Sequence, residues 1–241
     1  MFNPVYMKEE NVERNLQLEF DEILRNVIFP FFKEHGFKRN GNGFNRKTKE
    51  LIQVVNVQKS QWNHQDNISF TLNIGFLDAE MYVEDWSKEI PKFVREYNCQ
   101  IRFRLGQIAK GNDYWYQLDK SIEKANLEIE IYTDLKTHLK PILEKYTELN
   151  SIKDFILNDN KLGWVVAEFQ KIKILLKIGE KEKAQELLGK EYLNALNPED
   201  YVSKTTYPDG TVEIKTSKSK VNFEYIENLK AVAKKYNVIL Q

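Results

Sequence analysis

Residues 27–76 constrain the fold of this chain more than any other segment. They contain the end of an apolar helix, a glycine-rich turn and two strands in which apolar and polar residues alternate. A helix that is followed directly by antiparallel strands is typical of an α+β fold, with the helix packed on one face of the sheet. The segment carries no catalytic motif.

Apolar residues at three- and four-residue spacing predict the first helix. They are Leu16, Phe20, Ile23, Leu24, Val27, Ile28 and Phe31. We expect Pro30 to kink the last turn and Gly36 to end the helix in a left-handed conformation. Residues 40–43, with the sequence Asn-Gly-Asn-Gly, then predict a hairpin turn, because Asn-Gly pairs favour tight turns.

Three strong strands are predicted after this turn. Residues 51–57 are apolar on both faces, which is typical of a central strand. In the other two strands one face is apolar, and its residues are Phe70, Leu72, Ile74 and Phe76, then Cys99, Ile101, Phe103 and Leu105. We expect these side chains to be buried against the first helix, with Cys99 acting as a small buried hydrophobe.

The remainder of the chain is mostly helical by pattern. Helices are predicted at residues 81–97, 121–146, 164–178, 182–196 and 221–236, a short strand at 114–116 and a hairpin at 201–216. Within residues 121–146 the helical stripe includes Ile129 and Tyr132, although alternation at 127–131 would also suit a strand. A composition shift near residue 160 suggests an α+β domain at 1–160 and a helical region with a hairpin at 161–241, packed as one unit.

Composition and charge favour a cytoplasmic globular protein. Hydrophobic residues make up 41% of the chain and charged residues 30%, and the 36 basic and 36 acidic side chains cancel. The chain therefore has no overall field that favours nucleic acid or a membrane surface. The single cysteine, Cys99, excludes an internal disulfide and suits a reducing compartment. We find no signal-peptide pattern, and no apolar run approaches the roughly 20 residues of a membrane span.

The sequence contains no recognisable catalytic or metal-binding motif. The three histidines are isolated from one another and from Cys99, so we predict no metal site, no cofactor and no catalytic residue. Paired carboxylates such as Glu128 and Glu130 lie among lysines and are typical of a solvated helix face. A hydrolase or transferase whose site has no sequence motif is the alternative.

Residues 36–60 form a basic stretch that could contact nucleic acid. Its cations are Lys38, Arg39, Arg46, Lys47, Lys49 and Lys59, against the single acid Glu50. Basic side chains interleaved with aromatic rings can follow a phosphate backbone and stack on bases. A lysine-rich hairpin also stays soluble and resists edge-to-edge pairing, and the zero net charge favours that second interpretation.

The polar sides of the predicted strands form the candidate site. If the strands share one sheet, its less apolar face carries Asn56, Gln58, Ser69, Thr71, Asn73, Arg102 and Arg104. We expect Trp62 and Trp115, which follow strand ends, to wall this surface. Two arginines among amides and hydroxyls suit a carboxylate, phosphate or peptide ligand. The structural alternative pairs the arginines with acids from a covering helix, such as Glu128 or Glu130.

Several of these residues, in this order, resemble an uncharacterised and mainly bacterial family, the domain-of-unknown-function family 4304. They are Gly36-Phe37 with the basic residues and Phe44 that follow, Val57-Gln58-Lys59-Ser60, Phe70-x-x-Asn73-x-Gly75, and Arg102 to Gly106 with Trp115 beyond. The resemblance covers roughly residues 16–160. It implies an α+β domain in the cytoplasm and no established activity, cofactor or catalytic residue.

The leading hypothesis from sequence is therefore a non-enzymatic binding module. It would recognise a protein or a small anionic ligand on the polar sheet face, through Gln58, Asn73, Arg102, Arg104, Trp62 and Trp115. An enzyme without a visible motif and nucleic-acid binding through residues 36–60 are the alternatives. Nucleic acid is the less favoured partner, and no membrane association is expected.

Overall fold

The computed structural model describes residues 14–157 and 165–240. The described residues form two compact units, residues 14–147 and residues 148–157 together with 165–240. The N-terminal segment without a signal-peptide pattern, the predicted boundary at residue 160 and Trp164 lie outside the described residues. That the two predicted parts pack as one unit stays a prediction.

The first unit begins with a long helix, as the apolar stripe predicts. Its consecutive segments are α1 (Leu16–Ile23), a π-helical turn (Leu24–Ile28) and α2 (Phe29–Glu34). Asn15 caps the helix, because its side chain accepts a hydrogen bond from the Leu18 N–H at 3.1 Å. Pro30 lies in the first turn of α2, and the helix ends before Gly36, whose φ of 78° is left-handed.

Six antiparallel strands of this unit form one sheet. They are β1 (Lys38–Asn40), β2 (Gly43–Lys47), β3 (Leu51–Lys59), β4 (Asn67–Asp78), β5 (Ile101–Arg104) and β6 (Tyr116–Asp119). The strands pair in the order β1-β2-β3-β4, and β5 and β6 share the free edge of the long β4. Asn40 pairs with Gly43, so the predicted turn contains only Gly41, with φ of 60°, and Asn42.

Five further helical segments complete the first unit. They are α3 (Ala79–Trp86), a 3-10 turn (Glu96–Asn98), α4 (Leu105–Lys110), α5 (Lys124–Asp134) with a π-helical turn (Leu135–Leu139), and α6 (Lys140–Lys145). The helix predicted at 81–97 is shorter, because Ser87 adopts a left-handed φ of 49° and ends α3. Leu105 begins α4 instead of continuing β5, and the strand predicted at 114–116 begins only at Tyr116.

The core lies between the first helix and one face of the sheet, as expected. The predicted core residues Phe70, Leu72, Ile74, Ile101, Phe103 and Leu105 are all buried. Phe20 of α1 contacts Phe70 of β4 edge to face, with ring centroids 4.9 Å apart. Burying each such large side chain contributes about 1.5–3 kcal/mol.

The helix at residues 124–145 is correctly predicted, but part of its predicted buried face is wrong. Ile129 and Tyr132 are exposed, whereas Leu127 and Ile131 are buried. The buried residues continue at spacings of four through the π-helical turn to Leu143. A π-helical turn holds an extra residue, so residues four apart stay on one face where a regular α-helix would rotate them away.

The second unit is mainly helical and carries one hairpin. Its segments are a 3-10 turn (Leu149–Ile152), α7 (Lys153–Leu157), β7 (Val165–Val166), α8 (Glu168–Lys177), α9 (Lys181–Leu196), β8 (Tyr201–Thr206), β9 (Val212–Ser217) and α10 (Phe223–Tyr236). The predicted α+β fold with a helical C-terminal region and hairpin is confirmed. No helix within residues 14–157 and 165–240 is long and apolar enough to cross a membrane.

Candidate functional site

The face of the sheet opposite the first helix is here called the polar face. The pairing register of β3, β4 and β5 aligns Asn56, Asn73 and Arg104 in one row, and Gln58 lies opposite Thr71. Arg102 lies opposite Gly75 on the same face, because side chains two residues apart project to the same side. Strand parity therefore brings together four of the predicted site residues, Gln58, Asn73, Arg102 and Arg104.

One end of the polar face is covered by an apolar cluster. Its members are Ile52, Val54, Leu77, Tyr82, Val94 and Cys99. Cys99 therefore lies on the opposite face from Ile101, contrary to the sequence prediction, because β5 begins only at Ile101 and the preceding 3-10 turn redirects the chain. The thiol is buried as expected, and burial raises the pKa of Cys99 well above its ordinary value. A thiolate nucleophile is disfavoured at this position.

The uncovered end of the polar face carries a chain of hydrogen-bonded side chains. Asn73 donates from Nδ2 to Gln58 Oε1 at 2.7 Å and accepts from Arg104 Nε at 3.1 Å. Arg104 also donates from Nη1 to both carboxylate oxygens of Asp113 at 2.6 Å. The Asp113 side chain is 54% exposed. The Arg104 guanidinium is thus held in one orientation at the end of β5.

Arg102 has a different kind of acidic partner. It donates from Nε to Glu96 Oε1 at 2.6 Å and from Nη2 to Glu96 Oε2 at 3.2 Å. The Glu96 side chain is only 10% exposed, and its hydrogen bond raises the pKa of Arg102. The acids that pair with the two arginines are therefore Glu96 and Asp113, and the predicted pairing with Glu128 or Glu130 is wrong.

The structure separates the two tryptophans that were predicted to wall this surface. The guanidinium carbon of Arg104 lies 5.2 Å from the ring centroid of Trp115, within cation–π distance. Trp62 lies in the β3–β4 turn and is 80% exposed. Within the described ranges its ring makes no aromatic or cation–π contact with the other candidate residues. Trp115 therefore belongs to the Arg104 cluster by contact, and Trp62 does not.

A shallow cavity of about 270 Å³ adjoins the polar face. Its lining includes Asn56 of β3 and, from the segment before β5, Glu96 and Tyr97. Sequence patterns missed Glu96, Tyr97 and Asp113, because all three lie outside the strands and only tertiary folding brings them to the sheet. A turn signal at Gly111, which has φ of 75°, marks the loop of Asp113 but does not indicate its partner.

The basic stretch at residues 36–60 is divided between the two faces of the sheet. Arg46 is directed to the helix side, where it donates to Gln53 Oε1 and to the carbonyls of His35 and Leu143. Arg39 lies 3.4 Å from the ring centroid of Phe29, also on the helix side. The strand register instead places Lys38 and Lys47 on the side of the polar face. These cations do not follow one continuous track.

A second cluster of ionisable side chains lies on the helix side of the sheet. Tyr116 donates to the buried carboxylate of Asp134 at 2.8 Å, and Lys110 Nζ lies 3.0 Å from Asp134 and 3.1 Å from Glu130. Burial and the Asp134 carboxylate raise the pKa of Tyr116. This cluster joins α4 and β6 to α5 by paired, satisfied groups. Across residues 14–157 and 165–240, no group of three or more His, Cys, Asp or Glu side chains could hold a metal ion.

Comparison with known protein families gives a match to the first unit. Residues 28–145 match the model of a family that is described as a domain of unknown function, DUF4304. The matched segment contains all six strands of the first unit, including β3, β4 and β5, which carry the candidate residues of the polar face. No curated protein and no solved structure matches the chain.

Proposed function

We propose, for a chain in which residues 28–145 match the model of the DUF4304 family, that the polar face binds a ligand carrying a carboxylate or phosphate group. The ligand is a small anion or an acidic segment of a protein, and the chain acts as a binding module and not as an enzyme. The observation that carries this proposal is the orientation of Arg104 between Asn73, Asp113 and Trp115.

Arg104 has the properties of a preorganised anion receptor. Its Nε and Nη1 atoms are engaged by Asn73 and Asp113, whereas Nη2 has no hydrogen-bond partner among the residues that the structure describes. Because the side chain is already ordered, a ligand that binds to it loses less conformational entropy. A guanidinium also presents paired donors that match the geometry of a carboxylate or phosphate.

Asp113 sets the chemistry of the expected ligand. This carboxylate lies on an exposed loop and occupies the position that a ligand anion would take on Nη1 of Arg104. An incoming anion therefore competes with Asp113, and exposed ion pairs of this kind contribute only about 0–1 kcal/mol. Each arginine of the face is balanced by one acid, so the face suits a single anionic group more than a polyanion such as nucleic acid.

The remaining side chains of the polar face are suited to binding a ligand and not to catalysing a reaction. Gln58 and Asn56 offer amide donors beside the arginines, and the exposed ring of Tyr97 borders the adjoining cavity. Amides, guanidinium groups and rings position a ligand without transferring protons at neutral pH. We further propose a cytoplasmic location, which is supported by the buried free thiol of Cys99. A bacterial source is proposed from the resemblance of residues 28–145 to a mainly bacterial family.

Isothermal titration calorimetry with two probes tests the proposal. The probes are inorganic phosphate and an acetylated peptide of consecutive glutamates, which separate a small-anion site from a site for acidic protein segments. We expect Arg104→Gln to abolish binding of the preferred probe. Asp113→Asn should instead strengthen binding, because the competing carboxylate is removed.

Arg39→Gln is the matched control, because it removes the same charge from the opposite side of the sheet, where Arg39 covers Phe29. This variant should bind like the wild type. Equal loss of affinity in the Arg39 and Arg104 variants would show that binding depends on general charge. Failure of both probes to bind the wild type, or weaker binding by Asp113→Asn, would contradict the proposal.

A further inference from the structure

The β8–β9 hairpin of the second unit is paired along both strands but exposed on both faces. Nearly every residue of the two strands is exposed, including Val202 and Ile214, and Ile214 is 64% exposed. Asp209 in the turn accepts hydrogen bonds from the N–H and hydroxyl of Thr211, which fixes the turn. A hairpin of two strands without a covering layer is only marginally stable in water. Such a hairpin gains stability from any additional strand on its edge.

The hydrogen-bond pattern of the hairpin shows which backbone N–H and C=O groups point outward from its two edges. The Tyr207 N–H donates to the Thr211 carbonyl at 2.9 Å, so this pair occupies a hydrogen-bonded position of the ladder next to the turn. Hydrogen-bonded and non-hydrogen-bonded pairs alternate along an antiparallel ladder. The backbone groups of Val212, Ile214 and Thr216 therefore point outward from β9, and these residues form a strand edge without a neighbour among the described residues.

We propose that β9 pairs with β9 of a second copy of this chain, antiparallel and about a two-fold axis through Ile214. This register places Ile214 opposite its own copy in a hydrogen-bonded pair and Val212 opposite Thr216. It also places Glu213 of each chain directly opposite Lys215 of the other. The resulting ribbon has four strands, and a sheet of three or more strands with an apolar face can be independently stable.

The charge pattern of β9 is self-complementary, because an antiparallel second β9 sets an acid opposite each base. This complementarity favours a second copy of the chain as the partner of the β9 edge. Glu213 and Lys215 lie on the same side of the strand, with Oε1 and Nζ 3.0 Å apart. In the two-fold pairing they fall in non-hydrogen-bonded pairs, where cross-strand side chains approach most closely. Two ion pairs thus form across the interface without a change of backbone conformation.

The other edge of the hairpin lacks this complementarity. The outward residues of β8 are Val202, Lys204 and Thr206, and β8 contains no acidic residue. A two-fold pairing centred on β8 would place Lys204 opposite the same lysine of the second copy, and like charges directly opposite are destabilising. An exposed lysine is also a common protection against edge pairing. The dimer is therefore assigned to β9.

Sedimentation equilibrium on the full chain, from micromolar to submillimolar concentration, tests the proposal. The wild type should dimerise reversibly. Glu213→Lys and Lys215→Glu each place like charges opposite one another and should weaken dimerisation at least tenfold. An equimolar mixture of these two single variants should recover it, because every cross-strand pair is then of opposite charge. The double variant Glu213→Lys, Lys215→Glu should also dimerise.

Lys204→Glu is the control, because it makes the same charge change on β8 and should leave dimerisation unchanged. All substituted side chains are at the surface, so the variants should match the wild type in circular dichroism and melting temperature. A wild type that stays monomeric at the highest concentration would overturn the proposal. So would single variants that dimerise like the wild type, or a mixture that stays monomeric.

Discussion

Arg102 and Glu96 are joined by two hydrogen bonds, with Nε–Oε1 at 2.6 Å and Nη2–Oε2 at 3.2 Å. The Glu96 side chain is 10% exposed, whereas Asp113, the partner of Arg104, is 54% exposed. Two arginines on alternate positions of one strand therefore have different roles. Arg102 satisfies a nearly buried carboxylate, and Arg104 is held at the surface by a carboxylate that water already solvates.

This difference predicts opposite outcomes for two alanine substitutions. Arg102→Ala should lower the free energy of unfolding by about 1–3 kcal/mol, because Glu96 loses its partner in a poorly solvated position. Arg104→Ala should lower it by less than about 1 kcal/mol, because Asp113 is solvated in either case. Urea denaturation of both variants measures these values. Equal losses would show that the two ion pairs are structurally equivalent.

The Tyr116–Asp134 hydrogen bond predicts an alkaline loss of stability. Burial, followed by the Asp134 carboxylate, raises the pKa of Tyr116 above its ordinary value of 10.0. The folded state therefore favours the neutral phenol, and this stability is present below pH 10.0 and is lost as the pH rises further. In Tyr116→Phe the free energy of unfolding should fall less steeply above that pH than in the wild type.

At neutral pH the same variant should be less stable than the wild type by about 1–3 kcal/mol, because the buried Asp134 loses a donor. Tyr132→Phe is the control, since Tyr132 lies exposed on α5, and it should leave both the neutral stability and the alkaline slope unchanged. An unchanged alkaline slope in Tyr116→Phe would show that another group causes the loss.

The contact between Gly75 and Cys99 gives a test of how the apolar cluster packs on the polar face. A Cβ atom at Gly75 would lie 2.6 Å from Cys99 Sγ and 2.7 Å from Cys99 Cβ, closer than packing allows. Gly75→Ala should therefore cost about 1–3 kcal/mol in unfolding free energy. In a Cys99→Gly background both contacts are absent, so the added cost of Gly75→Ala should largely disappear. Strict additivity of the two changes would contradict this packing.

The sheet could be predicted from sequence because strand alternation is local. Alternation alone places Arg102 and Arg104 beside Asn73 on one face, and the Asn-Gly pairs locate the first hairpin. Cys99 was assigned to the wrong face because the two-residue period holds only inside a strand, and β5 begins at Ile101. The buried face of the helix at residues 124–145 was partly missed because a π-helical turn leaves no composition signal.

The candidate site could be predicted only in part. Its strand residues follow from parity, but Glu96 and Asp113 reach the arginines from a 3-10 turn and from the loop after α4. No periodicity connects an acid in a loop to an arginine in a strand. Arg102 forms a structural ion pair and Arg104 forms an exposed one. This difference depends on the solvent exposure of Glu96 and Asp113, which only the folded chain determines.

The most direct test of the account follows the arginine Nε–H signals in proton–nitrogen correlation spectra while phosphate or the glutamate peptide is added. If the polar face binds an anion, the Arg104 signal should move and saturate with one of these ligands. The Arg46 signal should stay fixed, because Arg46 Nε donates to Gln53 on the opposite side of the sheet at 2.9 Å. An Arg104 signal that does not move with either ligand, or that moves only in step with Arg46, would contradict the proposed binding face.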